Sequence, residues 1–448
     1  MKNPGRTLRH TGLALVFSMS AAEIRAEPLV LQGATLFPVA QGPIENGVLV
    51  IEGGRIQAIG AEGEVRIPRG ASVRDVSGLA ILPGLVDTHS HIGLYARPLV
   101  AANRDGNETT DPVTPEMRAL DAIWPADPAI RMARAGGITT ANIMPGSGNV
   151  VGGQTAYLKL RGETVEAMRI RDPQGRPVRG GMKMANGENP KRAHDGLEAS
   201  PATRMGVAFL ERKVFVDAEG YGEKWRRYEK RREGDPPARD LGLEPMLEVL
   251  SGDRVVHHHT HRADDILTVL RIQEEFGHRV VLQHATEAYL VADEIAARGV
   301  SVSAIVVDSP GGKHEAMNLG FENPGLLEAA GVPVALHTDD LITSSRLFLR
   351  SAALAVRGGM SESGALRAVT LEAARMLDLD DRLGSLEPGK DADFVLLSGP
   401  PFSVRTRVLE TWIDGVKVFD VSDPADLRHQ TGGFQVMERY PELSGAAP

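Results

Sequence analysis

Cysteine is absent from all 448 residues. That excludes disulfides, thiolate-held metals, iron–sulfur clusters, a cysteine nucleophile and a lipidated N-terminal cysteine. A basic excess is missing too: 50 Lys and Arg stand against 59 Asp and Glu, a formal net charge of -9. Such a balance argues against nucleic acid or an anionic membrane surface as main partner. No apolar run reaches transmembrane length; the run Thr11 to Ala22 has 12 residues. There is no internal repeat, no low-complexity tract and no G-x-S-x-G elbow of a serine hydrolase. The glycine-rich stretch Pro145 to Gln154 places Gly146 and Gly148 as a dinucleotide fingerprint would, but carries Val151 at the third position. What remains is ordinary globular composition, 42% hydrophobic and 24% charged, enough for a sizeable core.

The first 26 residues read as a secretory leader. Lys2, Arg6 and Arg9 precede the apolar run, and small residues follow at Ser20, Ala21, Ala22 and Ala26. The mature chain is expected to begin between residues 21 and 28 and to be periplasmic or secreted. A chain without cysteine suits an oxidising compartment.

Short strand patterns occupy Leu29 to Gly60 and recur at Ala392–Leu397 and Val408–Val418. Between them, short apolar runs alternate with amphipathic stretches such as Ala263–Phe276 and Ala288–Ala297. Eight runs qualify as strands: Ala80–His89, Ile138–Met144, Ala156–Leu160, Met182–Ala185, Arg254–His259, Val280–His284, Val300–Val306 and Val332–His337. Alternation of this kind predicts parallel strands with helical crossovers, and eight units predict an α/β fold of the (β/α)8 TIM-like barrel type. A doubly wound open sheet is the alternative. Residues 187–252 exceed an ordinary βα loop and form an insertion, a lid or an oligomer contact. Its basic run Lys224–Arg232 reads as a solvated helix face, because Glu229 interleaves it.

The 13 histidines cluster at the ends of these runs. In Asp87-Thr88-His89-Ser90-His91, strand alternation turns His89 and His91 to the same side. In His257-His258-His259-Thr260-His261, His257, His259 and His261 share a face; His259 falls at the strand end, His261 in the loop, His257 one layer deeper, and His258 faces the helices. His284 ends a third run, and Val334 to Asp340 ends another in an acid. A lone histidine at a strand end is most often a hydrogen-bonded structural residue. Several strands delivering His or Asp at the same end of a barrel instead converge on one axis, and predict a catalytic metal site.

The chain resembles the amidohydrolase superfamily, and within it the imidazolonepropionase-related hydrolases. The resemblance is carried by LPGLVDTHSH (82–91), HHTHRADDI (258–266), LQHATE (282–287), VALHTDD (334–340) and LGSLEPGKDADFVLL (383–397). It implies a barrel over 83–382 and a small composite β-sandwich domain from both chain ends, residues 27–82 and 383–448. It also implies His89 and His91 as ligands of the more buried metal, His259 and His284 of the second, and Asp339 as metal contact and proton shuttle. Asp340 reads as a helix cap or a supporting acid. Lys183, carboxylated, is the bridging ligand implied by the family, with Glu188 as its rival. Such donors suit borderline divalent ions, zinc first, one or two per subunit.

The chemistry expected is cleavage of a C–N bond in a small-molecule substrate by metal-activated water: amide, cyclic amide or peptide-like. Deamination of a heterocycle is the alternative, and a catalytically silent barrel scaffold the remote one. Asn149, Gln154 and Arg262 are candidate substrate-binding residues, with Arg346, His314 and the insertion as further selectors. A plain tight turn serves equally well for the segment holding Asn149 and Gln154. A homo-oligomer is compatible with all of this.

Overall fold

The computed structural model describes residues 27–196, 201–232, 234–308 and 312–432. The expected leader, residues 1–26, and the chain beyond 432 lie outside the described residues. Among the described residues, no helix is long and apolar enough to cross a membrane.

Strands from both chain ends share one eight-stranded sheet, in the order Val416–Asp420, Val408–Ile413, Phe394–Leu397, Ala80–Pro83, Leu29–Leu36, Ile44–Glu52, Arg55–Ala61, with Ser72–Asp75 paired to Leu29–Leu36. The two ends meet where Phe394–Leu397 runs antiparallel to Ala80–Pro83, with Phe394 opposite Pro83. Alternate residues of these strands are buried on opposite faces: Leu31, Leu49 and Ile51 in one cluster, Val30, Val48 and Val50 in another.

The expected strand Ala80–His89 is in fact two. It breaks at Gly84, after which Leu85–Ser90 pairs in parallel with Ile138–Ile143. The reason is close packing: a Cβ at Gly84 would stand 2.2 Å from the Thr139 hydroxyl oxygen. The segment therefore turns from one sheet into the next at the only residue type that fits.

Five strands form a parallel run: Met182–Ala185, Val256–Thr260, Val280–His284, Ser301–Ile305 and Val334–His337. The expected third parallel strand is a correction. Ala156–Lys159 runs antiparallel to Ile138–Ile143, and an unforeseen strand, Val151–Gln154, runs antiparallel to Met182–Ala185. The apolar run does form a strand, but a reversal within residues 144–156 leaves no helix to carry a parallel crossover. The middle of the chain is thus an α/β array of two hydrogen-bonded arcs. At one seam, Asp87 accepts from the Thr338 amide at 3.1 Å and from its hydroxyl at 2.5 Å, joining the strand Leu85–Ser90 to the end of Val334–His337.

A buried ionic knot fastens the terminal sheet to this array. Lys159 donates to Asp391 at 2.7 Å and to Asp393 at 3.1 Å, and pairs with Asp414. Arg382 donates to the same Asp391 oxygen at 2.7 Å.

The insertion is dominated by the 28-residue helix Arg204–Arg231, capped by the Thr203 side chain on the Gly206 amide. It buries Val207, Glu211, Val214, Phe215, Ala218 and Tyr221. That spacing follows one helical face. The basic run is its exposed far end.

Candidate metal centre

His89 and His91 project from the end of Leu85–Ser90, His259 and His261 from the end of Val256–Thr260, and His284 and His337 close their own strands. All six rings are buried. Their nitrogens and the Asp339 carboxylate form three overlapping groups with ligand atoms within 4.8 Å of one another: His89, His284 and His337; His259, His261 and His284; His89, His91 and Asp339.

Hydrogen bonds on the outer nitrogens orient four of these rings, His89, His91, His261 and His337. His91 donates Nδ1–H to the Met144 carbonyl oxygen at 2.7 Å, which leaves Nε2 bare, 3.0 Å from Asp339 Oδ1. His89 Nδ1 meets Gln283 Oε1 at 3.2 Å. The Gln283 amide then donates to His257 Nδ1 at 3.1 Å, and His257 Nε2 meets the Tyr157 hydroxyl at 2.9 Å. This buried chain orients His89 from below. His261 Nδ1 meets Thr286 Oγ1 at 2.7 Å, and His337 Nδ1 meets Ser303 Oγ at 2.7 Å.

Three nitrogens of the cluster lack ordinary partners. His259 Nδ1, His261 Nε2 and His284 Nε2 are buried with no hydrogen bond. Bare buried nitrogens are costly unless something fills them. Burial first holds His89, His259, His261 and His284 well below the ordinary imidazole pKa, helped by Lys183 or Lys313 at His89, His259 and His261 and by the neighbouring rings at His284; burial also pushes His337 down to about 3 against the opposing charge of Asp339. Neutral imidazole is the ligating form. Burial alone would raise the Asp339 pKa, but His91, His337 and Lys183 outweigh it and keep the carboxyl below its usual range. Neutral nitrogens, one carboxylate and unpartnered buried atoms together fit a divalent cation.

Lys183 is fully buried, and its Nζ lies 3.0 Å from His89 Nε2. Burial drives its pKa down to about 7. Glu188 is elsewhere: its side chain faces Arg192, and its amide donates to Glu315 at 2.9 Å.

The three candidate substrate-binding residues are not brought to the cluster. Asn149 is buried and spends its amide on Glu108 O, Asp111 O and Thr114 Oγ1, so the tight-turn reading describes it. Gln154 pairs with Met182, at the end of that strand opposite Ala185, because its own strand runs antiparallel; it bonds Pro115 O and Arg254. Arg262 is engaged by Asp264 through two contacts of 2.9 Å.

Sequence reasoning missed His261 and His337 as members of the cluster. Same-face parity with His259 was the signal for His261, which follows the strand directly and stays buried. His337 was passed over for the acid beyond it. Lys313 was unforeseen as well: its Nζ lies 3.3 Å from His259 Nε2 and 3.0 Å from Glu315. So was Tyr95, whose ring stands edge-on to His91 with centroids 5.6 Å apart. Burial, and then the Asp339 charge, push its pKa up to about 12.

A solved amidohydrolase from Thermotoga maritima MSB8 is 39% identical, with a TM-score of 0.82 over 88% of this chain and 100% of its own. The chain belongs to the amidohydrolase family. The model of that family matches residues 249–419, which hold His259, His284 and Asp339. Amidohydrolase tasK of Hapsidospora irregularis is 31% identical over 81% of this chain, and the chain spans 38% of the length of that protein. The imidazolonepropionase of Paracoccus denitrificans is 28% identical over 87% of this chain and 92% of its own. Metal dependence is a property of the family, and the His and Asp groups described above answer to it.

Proposed function

We propose that this amidohydrolase hydrolyses C–N bonds of small amide, cyclic-amide or peptide-like molecules. The observation that carries the reading is the convergence of six buried histidines and Asp339 in overlapping ligand groups, three of the rings keeping a buried nitrogen without a hydrogen bond. His89, His91, His259 and His284 would hold the metal with Asp339, and Lys183 would bridge as a carbamate. Zinc is the first candidate by donor type. A lysine whose pKa is near neutrality has the free amine that carbamylation needs, and conversion to an anion relieves a buried ammonium.

When bound, the cation supplies Lewis acidity that polarises a carbonyl and brings the pKa of water near neutrality. The chain's residues do the rest. Asp339, kept ionised by its neighbours, takes the proton from the attacking water and returns it to the leaving nitrogen. The Met144 carbonyl and Gln283 Oε1 hold His91 and His89 in one tautomer, and Ser303 and Thr286 orient the rings of His337 and His261. Deamination of a heterocycle uses the same proton path and falls within the same C–N chemistry.

The reading includes a (β/α)8 barrel formed by the two arcs over 83–382, and a composite β-sandwich over 27–82 and 383–448. The shared terminal sheet and the Asp87–Thr338 seam support both. It also includes export to the periplasm or beyond, supported by the residue pattern of 1–26 alone.

Metal analysis of purified protein, followed by a screen of dipeptides, N-acyl amino acids and cyclic amides for amine release, tests the proposal. Metal-free protein that stays unreactive after zinc, manganese or cobalt is added would sink it.

A further inference from the structure

The segment Pro145-Gly146-Ser147-Gly148 fits no dinucleotide and gives no atom to the metal-holding set, yet it and the preceding Met144 touch the site at three points. Met144 O accepts from His91, Ser147 Oγ accepts from Asn189 at 2.7 Å, and the Gly148 amide donates to Asn107 Oδ1 at 2.9 Å. The last contact fixes how the Asn107 side chain is turned. With Oδ1 held by Gly148, Nδ2 faces the Tyr95 hydroxyl and donates to it.

An amide nitrogen only donates. The Tyr95 oxygen therefore accepts there, and its own proton is left over. No acceptor for that proton occurs among the described residues. The glycines make this arrangement possible. A Cβ at Gly146 would stand 2.6 Å from the Tyr95 hydroxyl oxygen, one at Gly148 2.9 Å from Asn107 Oδ1, and one at Gly106 2.1 Å from the Tyr95 ring. The backbone is pinned on both sides of the residue: Asp127 accepts from the Gly93 amide at 2.8 Å and from the Arg97 amide at 3.1 Å. A hydroxyl fixed this closely, edge-on to His91, with its proton uncommitted, is a donor waiting for an acceptor.

We propose that Tyr95 is a catalytic hydrogen-bond donor, held by Asn107, that binds the carbonyl oxygen of the substrate as negative charge collects there. The assignment rests on the C–N hydrolysis reading and deepens it. In the step concerned, the water oxygen bonds to the carbonyl carbon and the water proton passes to Asp339. The π pair moves onto the carbonyl oxygen, toward which Tyr95 donates while keeping its own proton. The pair then returns, the C–N bond breaks, and the nitrogen takes the proton from Asp339.

The test compares wild-type, Tyr95→Phe and Asn107→Asp proteins, each loaded with metal. Tyr95→Phe keeps the ring and removes the donor. Asn107→Asp keeps an oxygen for Gly148 but offers Tyr95 an acceptor, which captures the proton. Turnover of an N-acyl amino acid should fall on the order of 10²-fold in both, with KM little changed, as when one oxyanion donor is removed. Methylphosphonate, a tetrahedral anion, should bind by calorimetry about tenfold more weakly or worse, the worth of one hydrogen bond to a charged group. Metal content should match wild type. Equal methylphosphonate affinity in wild type and Tyr95→Phe, or no binding by the wild type, overturns the assignment. If the affinity gap appears while the wild type turns over no amide, the amide reading falls and the donor role of Tyr95 stands.

Discussion

The backbone amide of Asp339 donates a hydrogen bond to the carbonyl oxygen of His89 at 3.0 Å. One contact thus sets the distance between the first histidine of the cluster and its acid, although 250 residues separate them in sequence. Asp339 sits at φ +48°, a conformation that Asn and Asp tolerate better than other side chains.

That makes Asp339→Asn a clean probe. The backbone accepts it, the size is kept, and the basicity is lost. Turnover should drop on the order of 10²–10⁴-fold, the usual worth of a general base, with the melting temperature nearly unchanged. Asp340→Asn should do the reverse. Asp340 is buried, pairs with Arg97, and accepts from the Ser345 amide at 2.9 Å and its hydroxyl at 2.6 Å. Removing its charge leaves Arg97 without its partner and should cost about 3–5 kcal/mol of stability. Thermal unfolding and turnover measured on both variants check the pair; a stable but inactive Asp340→Asn would reverse the roles.

His258 and His259 separate structure from metal binding. Strand alternation alone suggests that His258→Ala is mild, since the ring faces the helices. The structure shows what it faces: Glu211 of the insertion helix, 3.0 Å away and as deeply buried. His258→Ala strands that acceptor and should cost about 1–3 kcal/mol while metal per folded molecule is kept. His259→Ala should lose metal, and with chelator present in both proteins it should affect folding less than His258→Ala does. Metal analysis and denaturant titration of the two proteins decide this; equal metal loss would mean that His258 also acts at the centre.

These cases show where the sequence was legible. The period-2 placement of His89, His91 and His259 could be read because alternation along a strand is a local rule. So could the meeting of the two chain ends, once the resemblance around Gly384 to Leu397 was recognised. The antiparallel course of Val151–Lys159 was not legible, because an apolar run does not state its direction. Nor was Glu211: an acid on a long amphipathic helix looks solvated until the helix is docked and the residue proves to be the buried partner of His258.

Metal removal should lower stability as well as activity. The bare nitrogens of His259, His261 and His284 are a cost that an ion cancels only in the folded state. A free metal concentration about a hundredfold above its Kd should stabilise the fold by about 2.7 kcal/mol over the chelated protein. Melting curves with chelator and with graded zinc provide the measurement. A melting temperature indifferent to metal would mean that the cluster does not bind it in the folded chain.

Lys159 offers a test remote from the cluster. It is buried among Asp391, Asp393 and Asp414, and it links the strand Ala156–Lys159 to the motif that returns the chain to the terminal sheet. Burial pushes the pKa of Asp393 up to about 6 even with the lysine in place, and its Oδ2 has no partner. Lys159→Met removes the cation and leaves three carboxylates facing one another in a poorly solvated space. Breaking a buried ion pair from one side typically costs about 3–5 kcal/mol. The sign of the pH dependence follows. With the lysine gone, the acids become harder to ionise, so the folded state holds protons that the unfolded chain has already released. Stability of the variant should therefore fall as pH rises from the ordinary carboxylate range through neutrality, and the gap to wild type should narrow on acidification. Chemical denaturation of both proteins across that range gives the answer. A gap that widens toward low pH would show that Lys159 contributes through packing of its stem, not through its charge.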